Sequence, residues 1–320
     1  MNKAPIQNAF AHIPKAEARA AVLSVLIGAA LLGAKFAAYF LTNSEAILSD
    51  ALESIVNVLA ACFALYAVSL AHTPADEDHP YGHGKIEFLS AGFEGGMILF
   101  ASVIIVVQAV VALARGPQVH SSAVGLPVLV VAMFTNAGLG LYLIRTGRKQ
   151  GALSLEADGR HLLADAITSV VAFAALAVVS LTKWPYADPI GAILVAMYIA
   201  RTGLALLRRS AAGLMDEQDK ADAGLLRQIL DAHVGPDSQP PHICSYHKLR
   251  HRHSGRYHWV DFHLVVPAWW DVESAHKVAG AIETEIERAL GEGDATAHVE
   301  PCLTVECASC QAAKAQAAVS

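Results

Sequence analysis

Hydrophobic residues over the first two thirds of the chain form six long runs, separated by short breaks rich in polar residues, glycine and proline. A helix needs about 20 apolar residues to cross a bilayer. Six segments reach that length: 20–41, 47–71, 88–114, 123–144, 162–181 and 187–207. The breaks fall at 42–44, 74–84, 116–117, 147–159 and 184–185. The pattern predicts six transmembrane helices.

The pattern changes after Arg209, where charged and polar residues become frequent. Helical spacing of apolar residues predicts helices at 221–234 and 273–290, and strands are predicted at 242–250, 257–266 and 295–300. Along the second strand, the apolar residues at 260, 262, 264 and 266 share one face and Trp259, Asp261 and His263 share the other, as in a strand with one buried face. The order αββαβ predicts a small α+β domain with helices on one face of a sheet.

These patterns divide the chain into a segment 1–19, a six-helix membrane domain 20–210, an α+β domain 211–306 and a tail 307–320. The alanine-rich part of the tail after Gln311 is predicted to lack regular structure. Basic residues concentrate before the first helix and after the second, fourth and sixth, whereas the opposite side holds only Arg115 and Lys183. Because cytoplasmic loops carry the excess of basic residues, both termini are predicted to be cytoplasmic.

The composition agrees with a membrane protein, since 54% of the residues are hydrophobic and 16% are charged. The first residues lack an apolar core followed by a small-residue cleavage site, so no removable signal peptide is expected. The net charge of −6 is modest and the basic residues form no stripe. Nucleic acid is therefore not expected as a partner.

Two of the predicted membrane helices carry pairs of polar residues four positions apart, Glu53 with Asn57 and His161 with Asp165. Side chains at this spacing share one face of a helix, and a charge at the bilayer centre costs at least ~2.5–3.5 kcal/mol. The four residues predict a site for a divalent metal. Imidazole and carboxylate ligands suit Zn²⁺ and do not exclude Fe²⁺, Co²⁺, Ni²⁺ or Mn²⁺. Because such ligands release protons on binding metal, a proton gradient can drive metal export.

The polar residues around these pairs also have simpler interpretations. Asp50 and Asp158 either extend the ligand pattern, or cap helices or pair with basic residues near the membrane surface. Asn57 alternatively makes an interhelical hydrogen bond, and His161 with Asp165 alternatively forms a buried hydrogen-bonded pair.

With these motifs the chain resembles the cation diffusion facilitator family of metal/proton antiporters. The resemblance rests on the six helices, the motifs at 50–57 and 161–165, the loop Asp-Glu-Asp-His-Pro-Tyr-Gly-His-Gly-Lys at 76–85, and the C-terminal domain. It implies six transmembrane helices followed by a cytoplasmic, metallochaperone-like α+β domain. It further implies a homodimer in the bacterial inner membrane that exports divalent metal in exchange for protons. Zn²⁺ is the first candidate, and Fe²⁺, Co²⁺, Ni²⁺, Cd²⁺ and Mn²⁺ remain possible.

Metal is then both substrate and regulatory ligand, with no prosthetic group and no enzymatic activity. The family's transport site uses helices two and five. The helix-five half, His161 with Asp165, matches directly, whereas Glu53 and Asn57 stand where two Asp, or His with Asp, are usual. Further residues implied by the resemblance are a loop metal site of Asp76, His79 and His83, a cytoplasmic metal site of His247, His263, His298 and Glu300 with His276 as another candidate, and a dimer-hinge salt bridge of Lys85 with Asp216. The alternative for the loop is a glycine-rich turn with solvated charges.

Cysteines and further histidines lie outside these sets. Cys302, Cys307 and Cys310 form a C-x4-C-x2-C cluster, one ligand short of a four-thiolate zinc site. Cys244 or His298 would complete it, and the alternative is a group of reduced thiols without function. Three more histidines flank a predicted hairpin turn at Ser254-Gly255 and are expected to be solvent-exposed, with weak metal binding possible: His251, His253 and His258.

Two other classes of function compete with transport. A membrane-anchored metal sensor would use the helices only as an anchor, so the four intramembrane residues would be dispensable. An intramembrane metalloenzyme would usually carry a His-Glu-x-x-His helix, and the sequence contains none.

Overall fold

A computed structural model describes residues 13–42, 45–115, 126–182, 184–304 and 307–311. The residues before Ile13, the predicted helix start at 123–125 and the tail after Gln311 lie outside the described residues. The chain forms two compact units, Met1–Leu214 and Met215–Ser320.

The first unit consists of six long helices. Each is long and apolar enough to cross a membrane, which confirms the prediction of six transmembrane segments. Their bounds are α1 Lys15–Thr42, α2 Glu45–Ala71, α3 Ile86–Arg115, α4 Leu126–Gln150, α5 Leu153–Thr182 and α6 Ala187–Leu214. The fifth helix is central, since it contacts each of the other five.

The predicted break at 147–159 is wrong over most of its length, because α4 continues to Gln150 and α5 already begins at Leu153. The sequence pattern treats Gly159 as a helix breaker, yet it lies inside α5. A Cβ atom added to Gly159 would lie 2.7 Å from the backbone oxygen of Gly140 on α4. Glycine is needed at both positions because small residues let two helix backbones approach closely.

A second glycine contact joins α3 to α6. A Cβ atom added to Gly95 would lie 2.9 Å from the backbone oxygen of Gly203, and one added to Gly203 would lie 2.8 Å from that of Gly95. The membrane unit therefore contains two helix pairs, α3 with α6 and α4 with α5, held at backbone-to-backbone distance.

The second unit has the predicted order of helices and strands. Its elements are α7 Lys220–Ala232, β1 Ser245–Ser254, β2 Tyr257–Pro267, α8 Val272–Leu290 and β3 Gly293–Cys302. The sheet order is β1-β2-β3, with β2 antiparallel to β1 and parallel to β3. The predicted αββαβ fold is confirmed.

One face of this sheet is apolar and packs against the helices. Phe262 and Leu264 of β2 are fully buried and belong to one core with Leu226 of α7 and Ile282 of α8. The other face is polar, and the strand register aligns one histidine from each strand along it: His247 opposite His263, and His263 opposite His298. The register, rather than any loop, therefore brings these imidazoles together.

Candidate metal sites

Asn57 joins α2 to α5 inside the membrane unit. Its Nδ2 donates a hydrogen bond to Oδ2 of Asp165 over 2.7 Å, and its Oδ1 accepts one from Nε2 of His161 over 2.9 Å. The Nε2 atom of His161 lies 4.0 Å from Oδ2 of Asp165. Three of the four predicted transport residues therefore meet at one point. The interhelical hydrogen bond considered as an alternative for Asn57 is present, and its partners are the other predicted ligands.

Glu53 lies one turn before Asn57 on α2, and its side chain is exposed on the surface of the protomer. It is near enough to Asp165 and His161 for their charges to interact. Among the described residues, no hydrogen bond joins it to the other three predicted ligands. The structure thus brings Glu53 to the edge of the group rather than into it.

Glu94 of α3 is a further polar residue of this region, which the sequence patterns did not single out. It is 0% exposed, and neither carboxylate oxygen has a hydrogen-bond partner in the described part of the chain. Its Oε2 lies 3.9 Å from Nδ1 of His161, and that nitrogen is also buried without a hydrogen bond. A buried, unpaired carboxyl is costly, so its position behind the imidazole indicates a functional role. The sequence does hold one sign of Glu94, since it is an acidic residue within a run of apolar residues.

Asp50 and Asp158, the two aspartates beside the predicted ligands, pair with residues of α1 instead of joining the ligand group. Asp50 pairs with Lys35 of α1 at 2.9 Å, and Lys35 also donates to the hydroxyl of Ser54 at 2.7 Å. Asp158 accepts a hydrogen bond from Ser24 of α1 at 2.6 Å. For Asp50 the structure favours pairing with a basic residue, and for Asp158 it favours a buried hydrogen bond between helices.

The loop between α2 and α3 gathers its three predicted ligands. Atoms of Asp76, His79 and His83 lie within 4.8 Å of one another, with Oδ2 of Asp76 3.4 Å from Nε2 of His83. The His79 backbone N–H donates to Asp76 over 2.6 Å. Desolvation acts to raise the pKa of Asp76, but this hydrogen bond and the imidazoles hold it below its ordinary value. The carboxylate is therefore ionised and available to a cation.

On the polar sheet face, the carboxylate of Glu300 lies among the three aligned histidines. Its oxygens are 2.7 Å from Nδ1 of His263, 3.3 Å from Nε2 of His247 and 3.9 Å from Nε2 of His298. The hydrogen bond from His263 lowers the pKa of Glu300. Imidazole and carboxylate ligands at these distances suit Zn²⁺. His276 is exposed on α8, which packs on the opposite, apolar face, so this protomer does not bring it to the group.

The expectation that the hairpin histidines are solvent-exposed is wrong for His251, whose side chain is completely buried. Its Nε2 lies 3.0 Å from Nδ1 of His258, and Oδ2 of Asp222 lies 3.8 Å and 3.6 Å from these two nitrogens. Burial lowers the pKa of His251 and of His258, which favours the neutral, metal-binding imidazole. Alternation along β1 places His251 inward, and Asp222 reaches it from α7.

The three C-terminal cysteines lie close to a fourth, Cys244, which immediately precedes β1. The sulfur atoms of Cys244, Cys302, Cys307 and Cys310 all lie within 4.8 Å of one another. Desolvation opposes ionisation of Cys307, but hydrogen bonds from Cys310 and the neighbouring thiols lower its pKa to about 7. Burial raises the pKa of Cys310 to about 11 and also raises that of Cys244. Of the two possible fourth members, the structure brings Cys244 to the cluster.

The predicted hinge residues fall in separate units. Lys85 precedes α3, and its backbone oxygen accepts from the N–H of Phe88 over 3.1 Å. Asp216 lies 3.6 Å from a guanidinium nitrogen of Arg252. The salt bridge between Lys85 and Asp216 stays a prediction.

Two family models match this chain, one over most of each unit. The cation efflux transmembrane domain family matches residues 21–215, and the cation efflux protein cytoplasmic domain family matches residues 238–302. An uncharacterized transporter of Synechocystis sp., sll1263, is 36% identical over 281 residues, covering 88% of this chain and 89% of the relative. The cation-efflux pump FieF of Shewanella oneidensis is 28% identical, covering 90% and 94%.

The manganese efflux system protein MneP of Bacillus subtilis is 25% identical over 290 residues, covering 88% of this chain and 95% of the relative. A solved structure of CzrB in a zinc form covers 27% of this chain and 91% of its own, with 27% identity and a TM-score of 0.24. The family match extends over most of the membrane unit and most of the second unit. The chain therefore belongs to the cation diffusion facilitator family of multi-pass cation efflux transporters.

Proposed function

We propose that the protein exports a divalent metal from the cytoplasm in exchange for protons, with Zn²⁺ as the first candidate. The observation that carries this proposal is the hydrogen-bonded group of Asn57, His161 and Asp165 between two apolar helices. Ionisable residues inside a membrane are costly and mark ion or proton pathways by default. Here an amide of α2 meets an imidazole and a carboxylate of α5, and the three would each offer a lone pair to a cation once the hydrogen on Nε2 has left.

Metal binding at this point requires proton release. The Nε2 atom of His161 carries a hydrogen that it donates to Asn57, and this hydrogen must leave before the nitrogen can bind metal. Metal would also replace any proton on Asp165, whereas Asn57 contributes only a neutral amide oxygen. Loading the site with metal and loading it with protons therefore exclude each other, which is the basis of exchange.

Glu94 is placed to assist this step. When Nε2 binds a metal, the other ring nitrogen of His161 carries the hydrogen, and metal-binding histidines usually donate that hydrogen to a carboxylate or carbonyl. Oε2 of Glu94 faces Nδ1 at 3.9 Å. A small movement of α3 towards α5 would complete that hydrogen bond and fix the imidazole in its metal-binding tautomer.

The remaining sites serve regulation in this proposal. Metal on the cytoplasmic group of His247, His263 and Glu300 would draw two copies of the second unit together and favour a homodimer ready for transport. The loop group of Asp76, His79 and His83 is a second candidate for metal binding at the membrane surface. The distribution of basic residues supports cytoplasmic termini, and the membrane we propose is the bacterial inner membrane.

Flux measurements in proteoliposomes test the transport proposal. Zn²⁺, Fe²⁺, Co²⁺, Ni²⁺, Cd²⁺ and Mn²⁺ are compared under one imposed pH gradient, with internal pH recorded alongside metal uptake. We expect metal movement coupled to opposite proton movement, and loss of both in Asp165→Asn. The matched control is Asp188→Asn, which makes the same change at an exposed position in the first turn of α6 and should retain flux.

Two results would overturn the proposal. Absence of flux for all six metals would exclude transport of these ions. Full flux in Asp165→Asn would show that the intramembrane ligands are dispensable, as a membrane-anchored sensor predicts.

A further inference from the structure

Four cysteines from three separate parts of the second unit converge at one end of its sheet. Cys244 immediately precedes β1, and its N–H donates to the backbone oxygen of Val265 over 2.9 Å. Cys302 is the last residue of β3 and is paired with Pro267 of β2. Because β1 is antiparallel and β3 parallel to β2, the start of β1 and the end of β3 lie at the same end of the sheet.

The other two cysteines come from the segment that follows β3. Cys307 begins a short helical turn in which the N–H of Gln311 donates to its backbone oxygen over 3.0 Å. Cys310, in the same turn, is 7% exposed. The C-x2-C spacing of this pair is typical of structural zinc sites, where it supplies two ligands from one turn.

The distances between the sulfur atoms fit a tetrahedral ion. Zinc–sulfur bonds of about 2.3 Å place the sulfur atoms of a four-thiolate site about 3.8 Å apart. The Sγ atoms of Cys244 and Cys310 are 3.3 Å apart, and all four Sγ atoms lie within 4.8 Å of one another. The separation of any pair would therefore have to change by at most about 1 Å to reach this value.

Simpler explanations account for these thiols less well. A role as apolar packing residues is contradicted by their exposure, because Cys244, Cys302 and Cys307 are all partly exposed. Two disulfides would require an oxidising compartment, whereas thiols of the cytoplasm are kept reduced. Neither explanation requires all four sulfur atoms to meet at a single point.

We propose that Cys244, Cys302, Cys307 and Cys310 bind one structural zinc ion as four thiolates, which fastens the C-terminal segment to the end of the sheet. Four protein ligands leave no open coordination position, so this zinc neither reacts nor passes to the transport site. The soft sulfur ligands distinguish it from the nitrogen and oxygen sites elsewhere in the chain. The inference does not depend on the transport proposal.

Metal content and spectroscopy of the full-length protein test this site. The variant is Cys307→Ser/Cys310→Ser, and the matched control is Cys62→Ser, which removes a thiol on α2 outside the cluster. After dialysis against a chelator of moderate strength, the parent protein and the control should retain about one zinc ion per chain more than the variant. With Co²⁺ in place of zinc, sulfur-to-cobalt charge-transfer absorption should be present in the parent protein and in Cys62→Ser, and absent in Cys307→Ser/Cys310→Ser.

A measurement on the unmodified protein covers the case in which the variant does not fold. Alkylation is followed residue by residue with mass spectrometry, with and without a strong chelator. The proposal predicts that the four clustered cysteines react slowly until the chelator is added, whereas Cys62 reacts at one rate throughout. Equal zinc content in parent and variant, or clustered thiols that react at the same rate with and without chelator, would refute the site.

Discussion

Substituting Gly140 by alanine tests how closely α4 must approach α5, the helix that carries half of the proposed transport site. The new Cβ atom would lie 2.7 Å from the backbone oxygen of Gly159 and 3.1 Å from the backbone nitrogen of Leu163. Ordinary contacts begin near 3.4 Å, so α5 must move away by roughly 0.7 Å. Both contacts are with backbone, and no side-chain rotation can relieve them.

The cost of Gly140→Ala in stability is obtained by comparing it with a control substitution that makes no such contact. Overpacking of a closely packed interior typically costs about 1–3 kcal/mol. Gly138 lies on the same helix, and a Cβ atom added there would meet nothing within 4 Å. Both substitutions gain the preference of alanine over glycine in a helix, about 1 kcal/mol. The difference in stability between Gly140→Ala and Gly138→Ala therefore isolates the contact with α5.

Thermal denaturation of the purified protein in detergent measures this difference, and metal flux in proteoliposomes measures its effect on transport. We expect Gly138→Ala to match or exceed the parent in stability, and Gly140→Ala to unfold at lower temperature. Transport should slow only in Gly140→Ala, because the displaced α5 carries His161 and Asp165 with it. Equal denaturation temperatures for the two variants would show that α4 and α5 do not depend on this close contact.

Three further outcomes are expected. Glu94→Gln should raise the metal concentration for half-maximal flux by about 10–100-fold, the usual cost of losing a carboxylate behind a metal-binding histidine, and unchanged half-saturation would contradict the role given to Glu94. Glu300→Gln should weaken Zn²⁺ binding by at least about tenfold in calorimetry. Glu292→Gln, at an exposed position between α8 and β3, should leave Zn²⁺ binding unchanged. Equal affinities of the two variants for Zn²⁺ would argue against the cytoplasmic site. Asp219→Ala removes the cap of α7 and should cost about 1 kcal/mol at neutral pH. Because hydrogen bonds from the α7 backbone lower the pKa of Asp219, its contribution is complete above the ordinary pKa and disappears as the pH falls through the lower, native-state pKa. Denaturation at a series of pH values checks this, and a constant difference from the parent would refute it.

Hydrophobic patterning predicted the six membrane helices from the length of their apolar runs, and it predicted the αββαβ domain because burial is periodic along its helices and strands. It failed between α4 and α5, where the polar stretch from Ser154 to Arg160 resembles a loop. In the structure Glu156 is buried, and its carboxylate lies 3.1 Å from a guanidinium nitrogen of Arg148 and 2.7 Å from one of Arg160. Charges neutralised in this way can occupy a helix, and a hydropathy pattern does not show which charges are paired.

The sites divide in a similar way. Ligands four residues apart on one helix, such as His161 with Asp165, are visible in a sequence because the helix itself brings them together. Glu94, Asp222 and Cys244 each reach their site from a different element, so their contribution depends on packing. His251 was expected at the surface because the turn beside it is polar, but strand alternation places its side chain inside.

The amide at position 57 has a consequence for the membrane potential. Among the groups proposed to touch the ion directly, only Asp165 is negative, so a divalent ion with these ligands would carry one net positive charge, since Asn57 supplies none. Moving one elementary charge across the bilayer exchanges about 2.3 kcal/mol per 100 mV, and an inside-negative potential opposes its export. Glu53, exposed beside the group, is a carboxylate that would cancel that charge as a direct ligand. With Glu53 on the metal, the ion and its direct ligands would be electrically neutral. The membrane potential would then no longer oppose their movement.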